Sequence, residues 1–102
     1  MTITEKMILN WCAFLAKRIS EKYPVKYGKI RLLKKTEQSY GYFYTDTKLI
    51  EVRIKDQDGS ILDLVEIADT IAHELAHAVD SGHGPKFKRQ YAKNLLCALN
   101  YL

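Results

Sequence analysis

The sequence predicts an α+β domain: a helix, a three-stranded and mostly antiparallel sheet, a helix bearing the candidate chemistry, and a C-terminal helix. Three observations predict it. Apolar residues recur at helical spacing over roughly the first twenty positions, alternate with period two through the next thirty or so, and then return to helical spacing. Residues that stop or turn the chain, Pro24, Asp56-Gln57-Asp58-Gly59 and Gly84-Pro85, fall at the changes of period. The 102 residues suffice for one domain with a single modest core, so any substrate site must be an open groove rather than a cleft between lobes.

The first helix is expected over residues 3 to 22. Thr2-Ile3-Thr4-Glu5 fits a capping box, Ile8, Trp11, Leu15 and Ile19 share a face, and Pro24 disfavours helix in the residue before it. Trp11 reads as a core aromatic. Val25, Tyr27, Ile30 and Leu32 then suggest a first strand, with Gly28 a bulge where the alternation slips. Lys34 to Gln38 reads as a polar turn with its lysine pair solvated, and Ser39 to Thr45, with Tyr40, Tyr42 and Tyr44, as a second strand. Asp46-Thr47 turns the chain into a third strand, Lys48 to Lys55, in which Ile50, Val52 and Ile54 mark the buried face.

Ser60 is placed to cap the next helix, with Asp63 three residues on. At about 100° per residue, Leu64, Ala68, Ile71, Leu75 and Val79 gather on one side, and Glu66, Thr70, His73, His77 and Asp80 on the other. Gly82 suits a left-handed helix end, and Pro85 the first position of the last helix. That helix, residues 85 to 100, has Phe87, Tyr91, Leu95, Ala98 and Leu102 as its apolar stripe and Lys86, Arg89 and Lys93 opposite.

Charge and cysteine usage narrow the function classes. The formal charge is +4, yet residues 1 to 80 carry twelve basic and twelve acidic side chains and cancel; the excess comes from Lys86, Lys88, Arg89 and Lys93. Cys12 and Cys97 are far apart in apolar helical contexts, which predicts buried thiols rather than a disulfide framework or zinc ribbon. The apolar run Met7 to Ala16 is interrupted by Asn10, preceded by Glu5 and too short to span a bilayer. A cytoplasmic protein with no membrane partner is the expectation.

All three histidines lie between residues 73 and 83. His73-Glu74-Leu75-Ala76-His77 reads H-E-x-x-H, and imidazoles at i and i+4 on a helix can share one tetrahedral ion. Glu74 is rotated about 60° from His77, suited to touch a metal-held water rather than to ligate. A glutamate ligand from a later helix is ruled out because no acid follows Asp80. The third ligand is then His83, the more usual zinc donor, with Asp80 as the alternative ligand or otherwise a support behind the histidines. Such a pentapeptide also arises by chance; a capped amphipathic helix, a third histidine after a helix break and none elsewhere make this one a metal site.

The chemistry expected of one zinc ion with an open position is hydrolysis, with Glu74 as general base. A peptide substrate suits it, held by addition to the strand at Leu49 to Ile54 if that strand is the sheet edge. Tyr91, Tyr42 and Lys86 are the candidate oxyanion or substrate contacts.

His73-Glu74-Leu75-Ala76-His77-Ala78 followed by His83-Gly84-Pro85-Lys86-Phe87 resembles the SprT-like zinc metallopeptidases, whose signature is H-E-[LM]-x-H-A, a loop, then H-G-P-x-F. The resemblance covers about fifteen residues. It implies a single minimal zincin-like domain over residues 1–102, zinc at His73, His77 and His83, Glu74 as the catalytic glutamate, and cleavage of proteins attached to or near DNA. Lys86, Arg89 and Lys93 are then candidate nucleic-acid contacts, although the same three read more simply as a solvated helix face, since so few phosphate contacts bind weakly. The five-residue spacing between His77 and His83 is also similar to the YgjP-like metal-dependent hydrolases, which leaves a phosphate ester or other small substrate as the alternative. A non-catalytic zinc-binding module is the third reading, and one in which Glu74 has no task.

Overall fold

A computed structural model describes residues 1–33 and 39–102. The polar turn expected at Lys34 to Gln38 lies outside the described residues. The order is α1 (Ile3–Lys22), β1 (Ile30–Leu32), β2 (Gly41–Phe43), β3 (Ile50–Val52), α2 (Leu64–Ala76) and α3 (Pro85–Leu99).

α1 starts and stops where local chemistry requires. Thr2 Oγ1 accepts from the Glu5 N–H at 3.1 Å and Glu5 Oε1 from the Thr2 N–H at 2.9 Å, closing the capping box, and Tyr23 before Pro24 is extended. The helix buries Cys12, Leu15, Ala16 and Ile19, with Ile8 and Trp11 packed against the same core.

The sheet is mixed, in the order β1-β3-β2. β1 pairs parallel and β2 antiparallel with β3, so the antiparallel share is smaller than expected. The tight 45–47 turn makes β2 and β3 neighbours, whereas β1 pairs with β3 across a long sequence separation that a period-two pattern does not encode. The strands are short, but single hydrogen bonds extend the pairing, from Tyr44 N–H to Leu49 O and from Arg53 N–H to Tyr40 O. Gly28 precedes β1 rather than bulging within it; its N–H bonds Lys48 O, and a Cβ there would lie 2.8 Å from Thr47 O.

β3 is central and buried along its length. Ile50, Val52 and Ile54 face the core as expected, while Glu51 on the outer face is covered too, accepting from Arg31 Nε at 2.8 Å and Tyr44 Oη at 2.5 Å. The condition placed on strand addition at Leu49 to Ile54, that this strand be the sheet edge, is therefore not met, because β3 is paired on both sides.

α2 begins later than its first capping signal. Ile61 pairs with Lys55, and the Leu62 N–H bonds Ile54 O, so these residues are held extended against the sheet. Asp63, not Ser60, is the cap, accepting from the Val65 N–H at 2.9 Å, while Ser60 bonds Asp58. Leu64 is consequently exposed at the first turn, and the buried stripe is Ile67, Ala68, Ile71, Ala72, Leu75 and Ala76.

The core lies between the sheet and α1 with α2; α3 packs on α2 and α1, away from the strands. Leu102 lies beyond the end of α3 and is exposed rather than part of the apolar stripe, and within α3 the fully buried Asn94 takes a place in the interface. Both cysteines are free and buried, and burial pushes the Cys12 thiol up to about 12. Among the described residues no helix is long and apolar enough to cross a membrane.

Candidate metal centre and its groove

α2 presents His73 and Glu74 from its last turn and His77 from its C-cap. Beyond it the chain tightens: the N–H groups of His77, Ala78 and Val79 each bond a carbonyl three residues back. Asp80 Oδ1 then accepts from the Gly82 N–H at 3.0 Å and turns the chain toward His83. Gly82 does not adopt the left-handed conformation expected of it; among the described residues that region holds Lys48 and Gly59. The side-chain bond at Asp80 makes the turn instead.

This path brings together the three histidines named from the sequence. Their nearest donor nitrogens all lie within 4.8 Å of one another, with His73 and His77 half-buried and His83 exposed. Phe87, at the first turn of α3, underlies all three rings: it stacks on His77 with centroids 4.5 Å apart and meets His83 at 4.8 Å and His73 at 5.0 Å. An aromatic read as a stripe residue is thus the floor of the cluster.

Hydrogen bonds fix which nitrogens are free. His77 Nδ1 lies 3.1 Å from Asp80 O, and a carbonyl only accepts, so Nδ1 carries the proton and Nε2 the lone pair. His73 Nδ1 lies 3.0 Å from Glu74 Oε2, and this hydrogen bond raises the His73 pKa against the opposing effect of burial. Three imidazoles whose donor nitrogens lie within 4.8 Å of one another, with a supporting acceptor behind one ring, are a donor set that fits zinc. Asp80 stands outside this cluster; its carboxylate is engaged with Gly82, and its carbonyl is what supports His77.

Glu74 is only 6% exposed and sits under β2. A Cβ at Gly41 would meet Thr70 Cγ2 at 2.6 Å, the Glu51 carbonyl at 2.9 Å and Glu74 Cγ at 3.2 Å, so only glycine lets this strand lie so close to the helix. Sequence reading passed over Gly41, although a glycine flanked by tyrosines inside a strand pattern is a signal of close backbone approach.

The groove between β2 and α2 runs past His73 and Glu74 on both sides. β2 is its free rim. Antiparallel alternation turns the backbone groups of Gly41 and Phe43 away from β3, and Ser39 Oγ already donates to the Gly41 carbonyl at 3.0 Å. Strand addition, considered at Leu49 to Ile54 only if that strand were the edge, has its open side at β2 among the described residues, because β3 is paired on both sides.

Of the other candidates, Tyr42 lines the groove and Tyr91 lies 5.4 Å from the His73 ring with its hydroxyl donating to Asp69 Oδ1. Burial first, and then Asp69, push the Tyr91 phenol up to about 12. Lys86 is exposed and is not among the groove-lining residues. Arg89 and Lys93 are exposed on α3, with Lys93 Nζ 6.0 Å above the Tyr23 ring. Asn94, unremarked in sequence, donates from Nδ2 to Ala72 O at 3.1 Å and accepts from Gln90 at 2.7 Å, tying α3 to α2 one residue before His73.

Residues 6–97 match the family model described as the WLM domain. Among solved structures, the chain is similar to Wss1 from Saccharomyces cerevisiae at 16% identity and a TM-score of 0.75, over 87% of this chain and 72% of that one. A Wss1 mutant from the same yeast gives 15% and 0.80 over 95% and 80%, and a Wss1 mutant from S. pombe 20% and 0.65 over 79% and 70%. At these identities the likeness establishes the fold. No curated protein sequence matches significantly. The family matched is the WLM domain rather than the SprT-like family that the fifteen residues around the histidines resemble.

Proposed function

The chain belongs to the WLM domain family, and from that premise and the geometry of the histidine groove we propose that it is a zinc-dependent peptidase. The observation that carries the proposal is the meeting of His73, His77 and His83 within 4.8 Å beside the buried Glu74, directly under the free edge of β2. His73, His77 and His83 are the residues that would hold the ion. When bound, zinc supplies a Lewis acid and a water whose pKa is lowered toward about 7.

The chain's own groups do the rest. The N–H and C=O groups on the free edge of β2 align an extended peptide so that its scissile bond lies over His73 and Glu74. The Glu74 carboxylate takes a proton from the attacking water and returns it to the leaving amine, so no proton is left over at the end of the cycle. The Asp80 carbonyl keeps His77 in one tautomer, and Phe87 holds the three rings from below.

Two competing readings lose support. A phosphate ester calls for a cationic wall, but no lysine or arginine lines the groove among the described residues, and Glu66 and Asp69 do. A non-catalytic zinc module has no use for a carboxylate buried next to the ion-binding face. Proteins on or near DNA are the proposed substrates, with Lys86, Arg89 and Lys93 as the DNA contacts; binding of a DNA duplex that does not weaken with salt would exclude this part.

The test is Glu74→Gln. The expected result is one zinc per chain by elemental analysis, as in the wild type, with peptide hydrolysis reduced about 10²–10⁴-fold. Unchanged hydrolysis would remove Glu74 from the mechanism.

A further inference from the structure

The two ends of the groove differ in charge. Toward Ser39 it widens into a cavity of about 470 Å³, within the ~300–1,000 Å³ typical of ligand sites, walled by Glu66, Asp69 and Thr70 of α2. Toward Thr45 it is about 300 Å³, with Phe43, Tyr42 and Ser81 beside the histidines and, among the described residues, no carboxylate besides Glu74.

The acidic wall follows from helix geometry. Asp69 precedes His73 by four residues and Glu66 by seven, so both project on the histidine face, one and two turns nearer the helix start. Asp69 is fixed rather than free to swing away, because the half-buried Tyr91 of α3 donates its hydroxyl to Oδ1. A carboxylate has acceptor sites beyond the one that Tyr91 takes, and these remain for a ligand.

Strand polarity gives the acidic end a chemical address. A peptide added antiparallel to β2, the more stable pairing, runs from the Thr45 end toward the Ser39 end. With its scissile bond at His73 and Glu74, the residues on the carboxyl side of that bond enter the acidic cavity. We propose that Glu66 and Asp69 select substrates with lysine or arginine just on the carboxyl side of the cleaved bond. This specificity rests on the peptidase reading given above.

The experiment has two arms. In the first, zinc-loaded wild type is incubated with a mixed peptide library and the cut sites are mapped by mass spectrometry. Lysine and arginine should be enriched on the carboxyl side roughly five- to tenfold, as two partly exposed ion pairs allow, and the enrichment should vanish in Glu66→Gln/Asp69→Asn. Cleavage with no such enrichment, or with it on the amino side, overturns the inference and leaves the peptidase reading standing. No cleavage of any peptide refutes the peptidase reading itself. In the second arm, zinc-loaded Glu74→Gln is titrated by fluorescence anisotropy with two peptides that differ only in lysine or glutamate at that position. Binding at least about fivefold tighter for lysine supports the inference independently of turnover, and equal binding overturns it.

Discussion

Replacing Gly41 with alanine puts a single methyl group between β2 and the helix that carries the histidines. Its Cβ would sit 2.6 Å from Thr70 Cγ2, where carbon atoms are at rest about 3.5–4.0 Å apart, so roughly 1 Å must be opened there. Thr70 is β-branched and its hydroxyl bonds Glu66 O at 3.1 Å, so turning the methyl away forfeits that bond. The second contact, the Glu51 carbonyl at 2.9 Å, belongs to the central strand and has little freedom to move.

Overpacking of this kind costs about 1–3 kcal/mol, partly offset by about 0.4–1 kcal/mol from the stiffer unfolded chain. A net loss of about 1–2 kcal/mol lowers the melting temperature of a domain this size by roughly 4–16 °C. Hydrolysis should suffer more than stability, because the rim that aligns substrate moves relative to Glu74, and a misplacement of about 1 Å can cost roughly 10²-fold. Calorimetry, elemental analysis for zinc and kcat/KM on one peptide separate these effects; the zinc content should stay near wild type because the histidines are not touched. Gly84→Ala is the control, since a Cβ there meets nothing within 4 Å. If Gly41→Ala melts within about 2 °C of the wild type and keeps kcat/KM within about twofold, strand and helix are not in the tight contact described.

Three further outcomes are expected. His83→Ala should abolish tight zinc binding, whereas Asp80→Ala, which frees the Gly82 turn but leaves the carbonyl behind His77, should weaken it about 10–100-fold; equal losses in competition with a chelator would make Asp80 a ligand. Because burial pushes the Cys12 thiol up to about 12, Cys12 should resist a thiol-specific chromogenic reagent at pH 8 in the folded protein and react once urea unfolds it. Hydrogen bonds from Thr2, the backbone N–H first, hold the Glu5 carboxyl below its usual range, so its contribution to stability is present above the ordinary carboxylate pKa and is lost as pH falls through the lowered value. Melting curves of Glu5→Gln should therefore show a shallower decline at acid pH than the wild type; parallel curves would count against the cap.

How much could be read before folding varied with the range of the interaction. The capping box at Thr2 and Glu5 and the proline boundaries are contacts between residues a few positions apart, and α1 and α3 appear within a residue of where those signals put them. The H-E-x-x-H helix and His83 were legible for the same reason. Ser60 also carried a local signal, and it lost to a tertiary one, the pairing of residues 61 and 62 with the sheet. Gly82 was read correctly as a turn residue but for the wrong cause, since the Asp80 side chain makes the bend.

The sequence by itself determined α1 and α3, the existence of α2 though not its start, the burial of both cysteines and the three histidines that can share an ion, because helical periodicity and ligand spacing are properties of neighbouring residues. Only the tertiary structure decided that β3 lies in the middle and β2 at the rim, that Gly41 lets this rim rest on Glu74, and that Phe87, Tyr91 and Asn94 brace the histidine helix from α3. Strand order and interhelical contacts join residues about ten to fifty positions apart, and neither propensity nor period carries information over that distance. The three histidines that can share an ion were therefore written in eleven consecutive residues, and the groove beside them was not.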